Sequence, residues 1–212
     1  MSGGGAGRGR GVAGGLLIGL WLLGGCATPP GGTEENPNQV PRPEWRVGDR
    51  WVFRRTSLSG TPAVVTHKVT AATADGYTLR VLGVVPEVVQ SWTLDLHLRR
   101  HTVGDRAPGE FELPARYFTW PLTLGKSWTQ EFVYGDGTRS GTYANTWRVG
   151  TTVEQIQVVG GVYYALRIER RGSGGERLDT YWYTPKVRYW VRLENYQGGY
   201  TDELVDFTPT GA

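Results

Sequence analysis

Few side chains in this 212-residue sequence have types and spacings that invite chemistry. Cys26 is the only cysteine and follows Leu23, Gly24 and Gly25. With no second thiol to pair with, it offers a sulfur nucleophile rather than a disulfide, and the small residues ahead of it leave the backbone open to a processing enzyme. His97 and His101 stand four apart in HLRRH. On a strand both would project from one face with Arg99 between them, and a cation beside two imidazoles that lack further ligands speaks against a metal. Glu110 and Glu112 can share a strand face, yet a glycosidase pair needs carboxylates set ~5 to 9 Å apart across a sugar, which spacing along one chain does not establish. The stretch YGDGTRSG (134–141) has one carboxylate where a calcium loop needs several at alternate positions, and reads as a turn. No GxSxG elbow, HExxH pair, phosphate loop or GxGxxG fingerprint is present. The sequence therefore names no catalytic residue and implies no cofactor.

The surroundings of Cys26 suggest what its sulfur is for. Arg8 and Arg10 precede an apolar run from Val12 to Leu23, the layout of a secretory signal. A permanent membrane span takes ~20 apolar residues, so this run is too short to remain as one. Leu23-Gly24-Gly25-Cys26 resembles the lipobox of bacterial lipoproteins. The resemblance implies that diacylglycerol is attached to the Cys26 thiol, that residues 1–25 are removed, and that the new amino terminus is acylated as well. Several acyl chains, at ~0.8 kcal/mol per buried methylene, would hold the protein on a membrane. Ala27 replaces the aspartate that favours inner-membrane retention in that class, which implies an outer-membrane anchor with the protein facing the periplasm.

Cleavage there removes two arginines and no acid, so the formal charge of +3 falls by two. A nearly neutral body gives no electrostatic reason to bind nucleic acid. Residues 26–43, the acylated cysteine and a segment with five prolines and almost nothing apolar, read as a tether. Residues 44–212 remain as one domain large enough for a substantial core.

That body shows period-two patterning almost throughout. In SWTLDLHLRR (91–100), Trp92, Leu94, Leu96 and Leu98 alternate with polar residues, which predicts a half-buried strand. Further strands are expected at 50–57, 63–71, 76–84, 126–134, 142–149, 153–159, 163–170, 178–184, 189–196 and 202–208. Asp75-Gly76, Asp136-Gly137, Gly160-Gly161, Gly174-Gly175 and Gly198-Gly199 supply turns between them. The expected fold is all-β with little helix: an antiparallel meander of about ten or eleven strands, forming a barrel, half-barrel or sandwich to avoid exposed edges. The doublets Arg54-Arg55, Arg99-Arg100 and Arg170-Arg171 put one arginine on each face of a strand, one expected to pair with an acid and one to be solvated. GDRW (48–51) and GKSW (125–128) repeat a turn glycine ahead of a strand-starting tryptophan.

Three segments, FTWPLTLGKSW (118–128), VVGGVYYALRIE (158–169) and TYWYTPKVRYWVRLE (180–194), together resemble uncharacterised β-rich bacterial envelope domains. Those domains carry P-L-x-x-G-K-x-W, then V-P-A-G-x-F/Y-x-A-L, then Y-W-Y-S-P-x-V; here Val159 and Gly160 replace the proline and alanine. The resemblance implies a barrel-like or sandwich body and no particular activity. In the last segment Tyr181, Trp182, Tyr183, Tyr189 and Trp190 flank Pro185 and fall on both strand faces, and they are the candidate ligand-binding residues. The expectation is a non-enzymatic outer-membrane lipoprotein that binds a lipid-like apolar ligand or an envelope protein partner. Its rivals are a cell-wall or glycan hydrolase using carboxylates such as Asp95, Glu110, Glu112 and Glu131, and a structural subunit of an envelope assembly.

Overall fold

Alternating apolar and polar side chains on short runs bounded by glycine, proline or aspartate dictate strands with one buried face. The computed structural model describes residues 39–210 apart from 59, 107 and 137–139. The signal segment, Cys26 and the tether up to residue 38 lie outside the described residues. The strands are β1 (Gln39–Val40), β2 (Arg50–Ser57), β3 (Pro62–Thr73), β4 (Gly76–Leu82), β5 (Val88–Trp92), β6 (Leu98–Val103), β7 (Gly109–Ala115), β8 (Leu122–Thr123), β9 (Ser127–Gly135), β10 (Ser140–Val158), β11 (Gly161–Arg171), β12 (Arg177–Thr184), β13 (Tyr189–Asn195) and β14 (Tyr200–Thr208). A 3₁₀ turn at Pro185–Val187 is the only helix among the described residues.

Twelve of these strands close an antiparallel barrel among the described residues. Neighbours in sequence pair from β2 to β7, β7 pairs with β9, and the series continues to β14, which pairs back onto β2. β1 and β8 form a small sheet apart from the ring. The all-β meander expected from the patterning is therefore a closed barrel.

Two strand expectations need correction. Residues 91–100 are not one strand: β5 ends at Trp92, the Thr93 N–H donates to the His97 carbonyl at 2.9 Å, Leu96 adopts a φ of 57°, and β6 begins at Leu98. Trp92, Leu96 and Leu98 are nonetheless all buried, because a tight turn folds them onto the same end of the core. Apolar alternation thus has a second cause here. Conversely, 142–149 and 153–159 are one 19-residue strand, β10, whose register shifts between Val149 and Val153. β7, which patterning does not predict, interleaves Pro114 and exposed Leu113 with its two buried ends.

GDRW and GKSW are the same device used twice. Gly48 (φ 97°) and Gly125 (φ 75°) take left-handed conformations, and a backbone bond closes each turn, from Asp49 to Arg46 and from Lys126 to Thr123. Each turn then feeds a ring strand.

Because the strands run up and down, hairpin tips alternate between two ends. At one end lie the tips that follow β2, β4, β6, β11 and β13. The opposite end receives the segments 41–49 and 116–126 and is plugged. Trp45 sits there with ring centroids 5.4 to 5.9 Å from Tyr189, Trp51, Tyr77 and Trp92, and its indole N–H donates to the Arg188 carbonyl at 3.0 Å. Trp51 likewise donates to the Val187 carbonyl at 2.7 Å. Each large apolar side chain removed from water contributes up to about 3 kcal/mol, so this aromatic cluster is a main stabiliser of the plugged end. Fully buried Asp49 ties the segments together, accepting from Arg188 at 3.0 Å and from the Thr210 N–H at 2.9 Å.

Candidate functional site

Between the aromatic plug and the hairpin end the barrel is not filled. A cavity of about 240 Å³ remains, with Trp92, Leu98, Trp190 and Leu193 among its apolar walls and Val84 of the β4–β5 turn at its rim. Its polar side is built by strand register. Arg170 on β11 stands opposite Asp179 on β12, which stands opposite Asn195 on β13, while Asp202 on β14 stands opposite Arg55 on β2. Five consecutive strands of the ring thus contribute to one inward-facing polar girdle.

Within the girdle each carboxylate is paired with an arginine. Arg55 donates from Nε and Nη2 to the two oxygens of Asp202, both at 2.7 Å, a bidentate pair. Arg170 donates from Nε to Oδ2 of Asp179, whose Oδ1 accepts from Asn195 Nδ2 at 2.7 Å. The aspartate side chains are 0% and 1% exposed, against 20% for Arg55 and 12% for Arg170. Both aspartates line the cavity along with their arginines, and the guanidinium groups are the more exposed members of the two pairs. Aromatic rings back both cations: Arg55 lies 3.8 Å from the ring centre of Tyr200, and Arg170 5.4 Å from that of Tyr117. Burial pushes the Asp179 and Asp202 carboxyls up from their ordinary range, an effect that their arginines oppose. Burial also raises the phenols of Tyr181 and Tyr189, and takes that of Tyr200 to about 12.

Deeper in the barrel His67 points inward from β3. Its Nδ1 lies 3.0 Å from the Tyr189 hydroxyl, and its Nε2 has no hydrogen-bond partner among the described residues. Burial first, then the charge of Arg55, pushes its pKa down to about 3, so it is neutral at neutral pH. The Trp190 ring stands at 90° to it, 6.0 Å between centroids, and the Trp190 indole N–H is also buried without a partner. Beside the cavity, a second pocket of about 330 Å³ shares Tyr117 and Arg170 with it and is walled by Phe111, Phe132, Tyr134 and Tyr143.

The aromatic segment singled out by sequence is divided by the barrel wall. Tyr181 and Trp190 line the cavity. Tyr183 packs against Phe118 and Trp120, and Tyr189 lies tilted against Trp51 and stacks on Trp190, both within the packed interior. Trp182 lies on the outer face, where its indole donates to Glu154 at 2.9 Å beneath the Arg192 guanidinium.

The histidines do not share a strand face as expected. His97 sits in the β5–β6 turn with Nε2 3.1 Å from the Phe118 carbonyl, whereas His101 stacks on Tyr134. Among the described residues no three His, Cys, Asp or Glu side chains converge as metal ligands. The rival carboxylates are dispersed: Asp95 pairs with Arg42 at 2.9 Å, Glu110 with Arg100 at 3.1 Å, and Glu112 and Glu131 are exposed.

Sequence reasoning missed Arg55, Arg170, Asp179 and Asp202. The signal was in the alternation itself, since Trp51-Phe53-Arg55 and Leu166-Ile168-Arg170 each continue an apolar face into a charge. In two of the three doublets both members pair, Arg54 with Glu203 outside and Arg171 with Glu169 at 3.0 Å, whereas in the third Arg100 pairs with Glu110 and Arg99 is exposed, as expected.

Compared with protein-family models and with curated proteins, the sequence matches none. Among solved structures, it is similar at 11% identity to the hypothetical lipoprotein YmcC from Escherichia coli, over 76% of this chain and 85% of that one, with a TM-score of 0.46. A Bacteroides fragilis protein described as exported with a YmcC-like fold matches at 11% identity over 80% of this chain and 99% of its own, TM-score 0.44. A Parabacteroides distasonis protein described as a lipoprotein matches at 11% over 80% and 97%, TM-score 0.34. Likenesses of this size leave fold family and activity unassigned.

Proposed function

We propose that this chain is a lipid-anchored protein of the bacterial cell envelope that holds a small molecule in the hairpin end of its barrel and performs no chemistry on it. The observation that carries the binding reading is the cavity of about 240 Å³, walled by aromatic rings and floored by a buried polar girdle. For scale, an engineered apolar cavity of about 150 Å³ holds benzene, so a ligand somewhat larger than one aromatic ring fits. A two-chain lipid does not. Guanidinium groups left against purely apolar atoms would lose hydration without compensation, so the ligand also has a polar part. This narrows the lipid-like apolar ligand expected from sequence to a small amphipathic one.

Support for the anchor comes from the sequence around Cys26, and support for the outer membrane facing the periplasm comes from Ala27. Intact-mass analysis of the protein from bacterial membranes, under denaturing and then native conditions, tests both parts. Acyl chains on a new amino-terminal Cys26, and a second mass that leaves on denaturation, are the expected results. An unmodified thiol removes the anchor; a native mass with no releasable component, and no uptake of added small amphiphiles, removes the binding reading.

A further inference from the structure

The polar lining of the cavity includes three donor-only groups, Arg55, Arg170 and the Trp190 indole, beside the acids Asp179 and Asp202 and the two-way groups of His67, Tyr117, Tyr181 and Tyr200. Asp202 spends both oxygens on Arg55, and Asp179 spends one on Arg170 and the other on Asn195. The Gln90 side-chain oxygen accepts from the Trp92 indole at 3.2 Å. Among the groups lining the cavity, Arg55 keeps an Nη1 that Asp202 does not use, the Arg170 guanidinium is partly exposed, and the Trp190 indole N–H and His67 Nε2 are buried without a partner. Arginine has five N–H donors and no acceptor, and an indole is a donor only, so a ligand that satisfies these three groups must bring acceptors. Each acid lies against its own arginine, so an anion seated on the guanidinium meets the N–H donors ahead of the carboxylate.

Resting on the binding reading above, we infer that the ligand is an organic anion, a carboxylate or phosphate on an apolar body about the size of one aromatic ring, with its charged group on Arg55 and Arg170 and its body against Trp92 and Trp190. Guanidinium groups held by a buried carboxylate are fixed in place, so neither arginine has to be ordered when the anion arrives. Charge-assisted bonds of this kind are about twice as strong as neutral ones, and a protonated amine offers no lone pair to the donor-only groups.

The test compares ligands with one body and different heads: 3-phenylpropionate, 3-phenylpropan-1-ol and 3-phenylpropylamine, with phenyl phosphate separating a phosphate source from a carboxylate one. The acylated full chain in phosphatidylcholine nanodiscs is titrated by calorimetry and tryptophan fluorescence, with empty nanodiscs as reference. The expected result is that at least one anion binds about tenfold tighter than the alcohol and that the amine binds weakest. Equal binding of acid, alcohol and amine overturns the anion while leaving cavity binding intact; absence of binding by all four overturns both. The double variants Arg55→Met/Asp202→Leu and Arg170→Met/Asp179→Leu, which remove each pair without orphaning a charge, are expected to bind acid and alcohol alike. Anion preference surviving in both, with native near-UV dichroism retained, also overturns the assignment; the comparison on the unmodified chain stands even where a variant does not fold.

Discussion

Arg55 and Asp202 face each other across the seam where β14 meets β2, joined by two 2.7 Å bonds, with the acid fully sealed and the base one-fifth exposed. Breaking such a pair from one side leaves a charge with no water and no partner, whereas removing both members leaves a packable apolar site. Arg55→Met is therefore expected to cost about 3 kcal/mol, and Arg55→Met/Asp202→Leu to lie within about 1 kcal/mol of the parent. Urea unfolding of the two variants side by side checks this; equal losses would show that the pair stabilises by attraction rather than by mutual neutralisation.

His67 links stability to acid. Its folded pKa of about 3 lies below its ordinary 6.5, so the unfolded chain binds the proton first as pH falls. Its contribution is complete above pH 6.5 and declines below it, by about 2 kcal/mol at pH 5. Asp179 and Asp202, whose carboxyls are raised, act in the opposite sense nearer the carboxylate range and soften the decline. The difference between the parent and His67→Gln isolates the histidine. Melting temperatures from pH 7.5 to pH 5 should fall more steeply for the parent, and parallel curves would contradict the burial of a neutral imidazole.

Trp182 and Trp190 are neighbours in the sequence pattern but lie on opposite sides of the wall. Trp182→Phe is expected to cost about 1 kcal/mol of stability, from the lost bond to Glu154 and the weakened cation contact with Arg192, with no change in ligand affinity. Trp190→Phe is expected to weaken 3-phenylpropionate binding by roughly fivefold, because an aromatic wall and a donor are altered together. Calorimetric titration of both variants separates the two faces.

For the anchor, Cys26→Ser is expected to abolish incorporation of labelled palmitate and to shift the protein from the membrane to the soluble envelope fraction. Retention on membranes without label would mean that something other than the cysteine holds it there.

Most of the wall was readable from alternation: β2 coincides with the expected 50–57, and the strands from β11 to β14 lie within two residues of expectation. Failures came where two causes produce one pattern. Trp92, Leu96 and Leu98 alternate because a turn folds them onto one core, and β10 runs through a register shift that looked like a strand boundary. The site was harder to read, because a charge inside a barrel breaks the rule that alternation relies on. Arg55 and Arg170 follow two inward apolar residues at strict period two, but nothing local announces that Asp202 and Asp179 wait directly opposite. Strand pairing decides that, and for Arg55 and Asp202 the pairing is between the first and last strands of the ring.

The ring's seam also sets an order of events for folding. Arg170, Asp179 and Asn195 come from successive hairpins, separated by 9 and 16 positions, so their part of the girdle can assemble as soon as three adjacent strands exist. Arg55 and Asp202 are 147 positions apart and meet only when the last strand zips onto the first. Joining such distant segments is the entropically slow step of a β topology. A refolding chain should therefore regain its strand signal before it can hold a ligand, and ligand capture serves as a clock for the moment the ring shuts.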